Sequence, residues 1–166
     1  MIRPASSPRH DGHGRPKRVG VTLRAMKEVR TEIEIGASPE RVWGVLMEFG
    51  SYAEWNPFIR RISGEPAVGS RLEVRIEPPE GRELTFKPSV RKAEPNRELA
   101  WLGHLLLPGV FDGEHHFELH PRNGGTLFVQ REEFKGILVP LFGGGLEKTK
   151  RGFEQMNAAL KQRAEA

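Results

Sequence analysis

Residues 111–134 constrain the fold more tightly than any other stretch. FDGEHHFELH (111–120) and TLFVQREEF (126–134) both alternate apolar and polar side chains, and PRNGG between them is a run of turn residues. A period of two puts successive side chains on opposite faces of a strand, so the two segments read as a β-hairpin. In the first arm Phe111, His115, Phe117 and Leu119 share the apolar face, and Asp112, Glu114, His116, Glu118 and His120 share the polar one. In the second arm Phe128, Gln130, Glu132 and Phe134 have one phase. The loop length sets a register that opposes Leu119 to Phe128, Phe117 to Gln130, and His115 to Glu132. A slip of one residue would turn Glu132 outward.

Two adjacent histidines between glutamates invite a metal assignment, and strand geometry argues against it. His115 and His116 point to opposite faces and cannot ligate one ion together. Glu114, His116 and Glu118 could hold an adventitious ion on the outer surface. A solvated strand face is the expected reading, and neither a metal nor a cofactor is expected. His115 and Glu132 pose a sharper question. Opposed Cβ atoms roughly 5 Å apart let an imidazole reach a carboxylate. Such a pair either fixes the register of a buried sheet or orients a ligand in a pocket. Burying it costs several kcal/mol that an apolar pair would not, so the pocket reading stays open beside the structural one.

The rest of the chain reads around this hairpin. VRTEIEIGA (29–37) alternates as a half-buried strand. SPERVWGVLMEFG then takes a helical period, with Ser38 as N-cap, Pro39 in the first turn, an apolar stripe of Val42, Val45, Leu46 and Phe49, and Gly50 as the stop. YAEWNPFI (52–59) is a second short helix or turn, because Pro57 disfavours the helical region at Asn56. SRLEVRIEP (70–78), RELTFKPSV (82–90) and RELAWLGHL (97–105) are further strands, with Pro88 marking an edge or bulge. Beyond Gly136 the apolar linker ILVPLFGGG leads to a long helix in which Leu146, Phe153, Met156 and Leu160 recur at helical spacing. Short connections between consecutive strands favour an antiparallel meander. With the helices on one side of it, the class is α+β.

Charge narrows the partners. The formal net charge of +4 is carried entirely by residues 1–18, where Arg3, Arg9, Arg15, Lys17 and Arg18 face Asp11 alone. A phosphate-tracking groove needs its surplus on the fold itself, so no nucleic acid is expected. Residues 1–26 read as a disordered basic tail with almost nothing to bury, and Met26 is an alternative start of translation. Residues 27–166 read as one domain. With no cysteine there is no thiolate chemistry and no cysteine-ligated zinc. No apolar run approaches the roughly 20 residues that span a bilayer. A cytoplasmic protein, with a monomer favoured, is the expectation.

The order of elements, together with SPERVW, YAEWNPF, GEHHFEL and EEFKGILVP, resembles the START-like, Bet v1-like (SRPBCC) superfamily over roughly residues 29–163. Within it the likeness is to the polyketide cyclase/dehydrase and lipid-transport group. The resemblance implies a helix-grip fold, a curved antiparallel sheet around the long C-terminal helix, with a cavity between them for a hydrophobic ligand. Carried onto this chain, the wall would comprise Phe86, Trp101, His115, Phe117, Glu132 and Phe134 from the sheet and Phe153, Met156 and Leu160 from the helix. Trp55 and Phe58 would close one end, and residues 137–142 would form an apolar lid.

Catalytic motifs are missing. GGGLEKT (143–149) lacks the glycine a phosphate loop places before its lysine, and Glu147 stands there instead. The chain has no G-x-S-x-G elbow and no H-E-x-x-H. The leading expectation is therefore binding of a small hydrophobic or aromatic molecule. A polyketide cyclase/aromatase-like enzyme using His115 and Glu132 is the first alternative, and an interaction module presenting ILVPLF is the second.

Overall fold

The computed structural model describes residues 26–105 and 107–166. The basic tail expected over 1–26 lies outside these residues except for Met26. The chain opens with β1 (Met26–Ile35), α1 (Pro39–Met47), a 3-10 turn at Phe49–Ser51, and α2 (Tyr52–Trp55). It continues through β2 (Ile59–Ser63), β3 (Glu73–Ile76), β4 (Leu84–Phe86), β5 (Ser89–Glu94), β6 (Glu98–Leu105), β7 (Phe111–Arg122) and β8 (Gly125–Lys135). A 3-10 turn at Val139–Phe142 leads into α3 (Gly143–Glu165).

The strands form a five-stranded sheet, ordered β1-β8-β7-β6-β5, and a three-stranded sheet, β2-β3-β4. Every named pairing is antiparallel. A bridge between Arg71 and Ser89 stitches the two sheets together, reinforced by Leu72 N donating to the Pro88 carbonyl at 2.9 Å. The curved sheet grips α3, which buries Phe153, Met156, Asn157, Leu160 and Ala164 against it. This is the α+β helix-grip architecture.

The hairpin register is the one its alternation demands, with Leu119 opposite Phe128, Phe117 opposite Gln130, and His115 opposite Glu132. Its turn is tighter than PRNGG suggests. Arg122 pairs with Gly125, which leaves only Asn123 (φ 48°) and Gly124 (φ 79°) in the loop. Positive φ at both central residues defines a type I′ turn, whose twist matches the flanking strands.

One strand was not foreseen, and three local expectations are corrected. The IRRIS segment, passed over in the sequence, is β2, because Ile59 and Ile62 are buried while Arg61 and Ser63 are exposed. RELTFKPSV is two strands rather than one. Pro88 has no N–H to continue a ladder, and around it the chain leaves β3 for β6. Helix α1 ends at Met47, before Gly50, and a 3-10 turn follows it. Helix α3 includes Gly143, Gly144 and Gly145 instead of starting after them, since the preceding 3-10 turn runs directly into it.

Two small devices hold the region around α2. Ser38 caps α1 by accepting from Arg41 N. The Asn56 side chain, wholly buried, accepts from Phe58 N at 2.9 Å and Ile59 N at 2.8 Å. That Asx-type turn delivers Phe58 into the core, where its ring meets Phe153 edge-on at 5.5 Å and lies so close to Gly152 that no β-carbon fits there.

Candidate functional site

A cavity of about 300 Å³ opens between the concave sheet face, the β2–β4 sheet and the first turns of α3. Ligand pockets span roughly 300–1,000 Å³, so this one suits a small molecule. Its walls are apolar. Ile59, Val74, Ile76, Leu84 and Phe86 come from the small sheet, Trp101, Phe111 and Phe134 from the large one, Phe142 from the 3-10 turn before α3, and Leu146 from the first turn of α3.

The cavity takes its width from glycine. Gly103 on β6 and Gly113 on β7 are directly paired. A β-carbon at Gly103 would sit 3.2 Å from the Phe86 ring, and one at Gly113 would intrude on the Glu132 carboxylate. Neither glycine has positive φ. Space, not backbone conformation, is what each supplies.

His115 and Glu132 are the polar residues least exposed to solvent in the wall, with side chains 5% and 17% accessible. His104 and Arg82 also line the cavity but are exposed, and Lys148 and Thr149 are half-buried. His115 Nδ1 lies 3.4 Å from Glu132 Oε2, and its Nε2 lies 3.2 Å from Gln130 Nε2. Its ring is held by Trp101 stacked at 5.2 Å, Phe117 at 4.4 Å and Phe153 edge-on at 4.9 Å. Gln130, wholly buried, also donates to Met156 Sδ at 3.6 Å. No sequence signal beyond its inward phase marked Gln130.

Of the residues expected in the wall, Phe58, Phe86, Trp101, His115, Glu132 and Phe134 line the cavity. Phe117, Phe153, Met156 and Leu160 do not. They are fully buried and fill the space between sheet and helix, because large side chains from both faces interdigitate there to interior density. Trp55 stands off the cavity too, in edge contact with Tyr52 at 5.0 Å. Sequence reasoning missed the contribution of β2 and β3, of Gly103 and Gly113, and of Phe111 and Leu146. The 137–142 segment divides between core and surface. Val139 is fully buried and Phe142 lines the cavity, while Ile137 and Leu141 are 63% and 78% exposed.

The outer face of the hairpin carries an ion-pair ladder. Glu98 accepts from Lys92 Nζ at 2.7 Å and lies 2.8 Å from His116 Nδ1. Glu118 accepts from Arg131 Nε at 2.6 Å and lies 3.2 Å from His120 Nε2. Burial works to raise the pKa of both carboxyls, but hydrogen bonds from Lys92 and His116 to Glu98, and from Arg131 and His120 to Glu118, outweigh it and leave both below the usual carboxylate range. Glu98, His116 and Glu118 are close enough to share an ion. Glu98 thus replaces Glu114 in the trio expected from the sequence, Glu114 standing 3.9 Å from His116 Nε2. Lys92 and Arg131 already neutralise the two carboxylates, so the ladder reads as a means of sheet stabilisation. No helix among the described residues is long and apolar enough to cross a membrane.

The family model described as polyketide cyclase / dehydrase and lipid transport matches residues 26–165. The chain is similar to the solved structure of protein MLL2253 from Mesorhizobium loti, at 26% identity and a TM-score of 0.64, over 82% of this chain and 96% of that one. It has the fold of the Zhui aromatase/cyclase from Streptomyces sp. R1128, at 17% identity and a TM-score of 0.67, over 85% of this chain and 94% of that one. It also has the fold of Ara h 8.0201, at 12% identity and a TM-score of 0.65, over 84% and 98%. No curated protein matches the sequence.

Proposed function

We propose, for a chain that belongs to the polyketide cyclase / dehydrase and lipid transport family, that the cavity binds a small hydrophobic or aromatic molecule bearing a polar group. One observation carries this reading: apolar walls enclose about 300 Å³ around the His115–Glu132 pair. Convergent polar groups in an apolar cavity are the ordinary form of a small-molecule site. Filling that volume with side chains would gain burial energy, and the paired glycines Gly103 and Gly113 keep it open instead. The test is a Leu146→Trp substitution, which places an indole in the cavity from α3. Calorimetric titration with aromatic ligands should give binding to the wild type and at least tenfold weaker binding to L146W. Equal binding to both would place the ligand elsewhere.

Cyclase-like turnover is the second reading, favoured by one further observation. Glu132 puts a carboxylate, a group able to accept a substrate proton, into this apolar space. The Zhui aromatase/cyclase shares the fold. Glu132→Gln separates the readings. It should abolish turnover of a polyketide-like substrate in a catalyst, and only weaken affinity in a carrier.

A further inference from the structure

We propose that the cavity selects for a hydrogen-bond donor on its ligand, a hydroxylated arene, and that Glu132 rather than His115 receives it. This inference rests on the cavity-binding reading and names the class of ligand.

Donors and acceptors around His115 decide which group is left for a ligand. The side-chain nitrogen of Gln130 carries two hydrogens and no lone pair to share, so it can only donate. Its two neighbours are His115 Nε2 at 3.2 Å and Met156 Sδ at 3.6 Å, each able to accept from it, while the amide oxygen of Gln130 is buried with no partner. A neutral imidazole that accepts at Nε2 carries its proton at Nδ1. That proton points to Glu132 Oε2, 3.4 Å away. Both nitrogens of His115 are therefore engaged by the protein. The aromatic rings around it prevent a turn that would free either one. His115 is a positioning residue with nothing left to offer a ligand.

Glu132 differs. A carboxylate has about four lone-pair directions, and His115 takes one. Among the described residues neither lysine nor arginine comes within ion-pair distance of it, whereas on the opposite, outer face of the sheet Glu98, Glu118 and Glu133 each have such a partner. Gly113 makes the room in which Oε1 rests. The carboxylate is thus held in place, borders the cavity, and has acceptor capacity left over.

Chemistry follows from that inventory. A phenolic hydroxyl donates to a carboxylate in a short, charge-assisted bond, while its ring contacts Trp101, Phe86 and Phe134. A methyl ether, ester or quinone carbonyl only accepts, and would set lone pair against lone pair in a desolvated space. The reduced, hydroxylated form of a ring system should bind more tightly than its oxidised or alkylated form.

Matched pairs of one, two and three rings test this on the full chain by calorimetry: phenol and anisole, 2-naphthol and 2-methoxynaphthalene, 9-phenanthrol and 9-methoxyphenanthrene. The hydroxyl member of the pair that fits should bind about tenfold tighter, the scale of one charge-assisted hydrogen bond. Glu132→Gln should shrink that preference, and Glu132→Leu should abolish or reverse it. Equal binding of both members to the wild type would overturn the donor inference and leave the cavity reading standing. A preference unchanged in both Glu132 variants would overturn the assignment to Glu132. Binding of no pair, up to a millimolar, would overturn the cavity reading and this inference with it.

Discussion

The carboxylate of Glu132 lies against Gly113, in the space a β-carbon would take in any other residue. Gly113→Ala is therefore expected to push the carboxylate off its seat. Overpacking of this kind costs typically about 1–3 kcal/mol, read as a lowered urea midpoint, and ligand affinity should fall about tenfold with it. Gly103→Ala is the matched control. Its methyl would press on the Phe86 ring of the small sheet at 3.2 Å, with no Glu132 atom among its nearest neighbours. It should weaken large ligands more than small ones and leave any hydroxyl preference intact.

Gln130→Leu removes the donor to His115 Nε2. With that constraint gone the imidazole proton is no longer assigned to Nδ1, and the ring's nitrogen-15 shifts should move away from the pattern of a fixed Nδ1–H tautomer. Gln130→Glu, which accepts instead of donating, should drive the proton onto Nε2. Wild-type shifts showing an Nε2–H imidazole would contradict the chain of donors from Gln130 to Glu132.

The outer ladder predicts how the fold responds to acid. Glu98 and Glu118 titrate below the ordinary value of 4.5 in the folded state. A depressed folded-state pKa adds stability that is fully present above the unfolded value and is lost as pH falls through the folded one. The urea midpoint should thus hold from neutral pH down to about 5 and then drop steeply toward 3. In Glu98→Gln with Glu118→Gln the drop should be visibly shallower, and the midpoint at neutral pH lower. Parallel curves for the two proteins would mean the ladder is not stabilising.

Asn56 is the capping residue with the most to lose. Its side-chain oxygen serves Phe58 N and Ile59 N, both in a buried turn. Asn56→Ala strands two donors, at about 1–3 kcal/mol each if water does not reach them. Asn56→Asp keeps the acceptor geometry and should recover most of the loss in a urea melt.

The sequence made the hairpin legible down to its register, because alternation in 111–120 and 126–134 decides which faces are buried and the short loop between them decides which residues meet. It made α3 legible as well, through Phe153, Met156 and Leu160, but not what that stripe faces. All three are core, and a helical stripe looks the same whether it meets side chains or a ligand. The cavity was legible as a possibility and not as a place. Its opening depends on Gly103 and Gly113 meeting across two strands, and on β2, whose IRRIS alternation is interrupted by adjacent arginines and by a register shift between Ile59 and Arg61. The split at Pro88 was visible as a disturbance. That the chain changes partners there is a tertiary fact.

The most direct measurement of the central claim is a two-dimensional amide NMR titration of the full chain with small hydroxylated and alkylated aromatics. Saturable shifts should cluster at Gly103, Gly113, Phe134 and Leu146, around the cavity, and the buried Phe117, Met156 and Leu160 should respond less. Shifts confined to the exposed Ile137 and Leu141, or no saturable shifts up to a millimolar, would contradict a ligand-binding cavity and shift the reading to a surface that meets a partner.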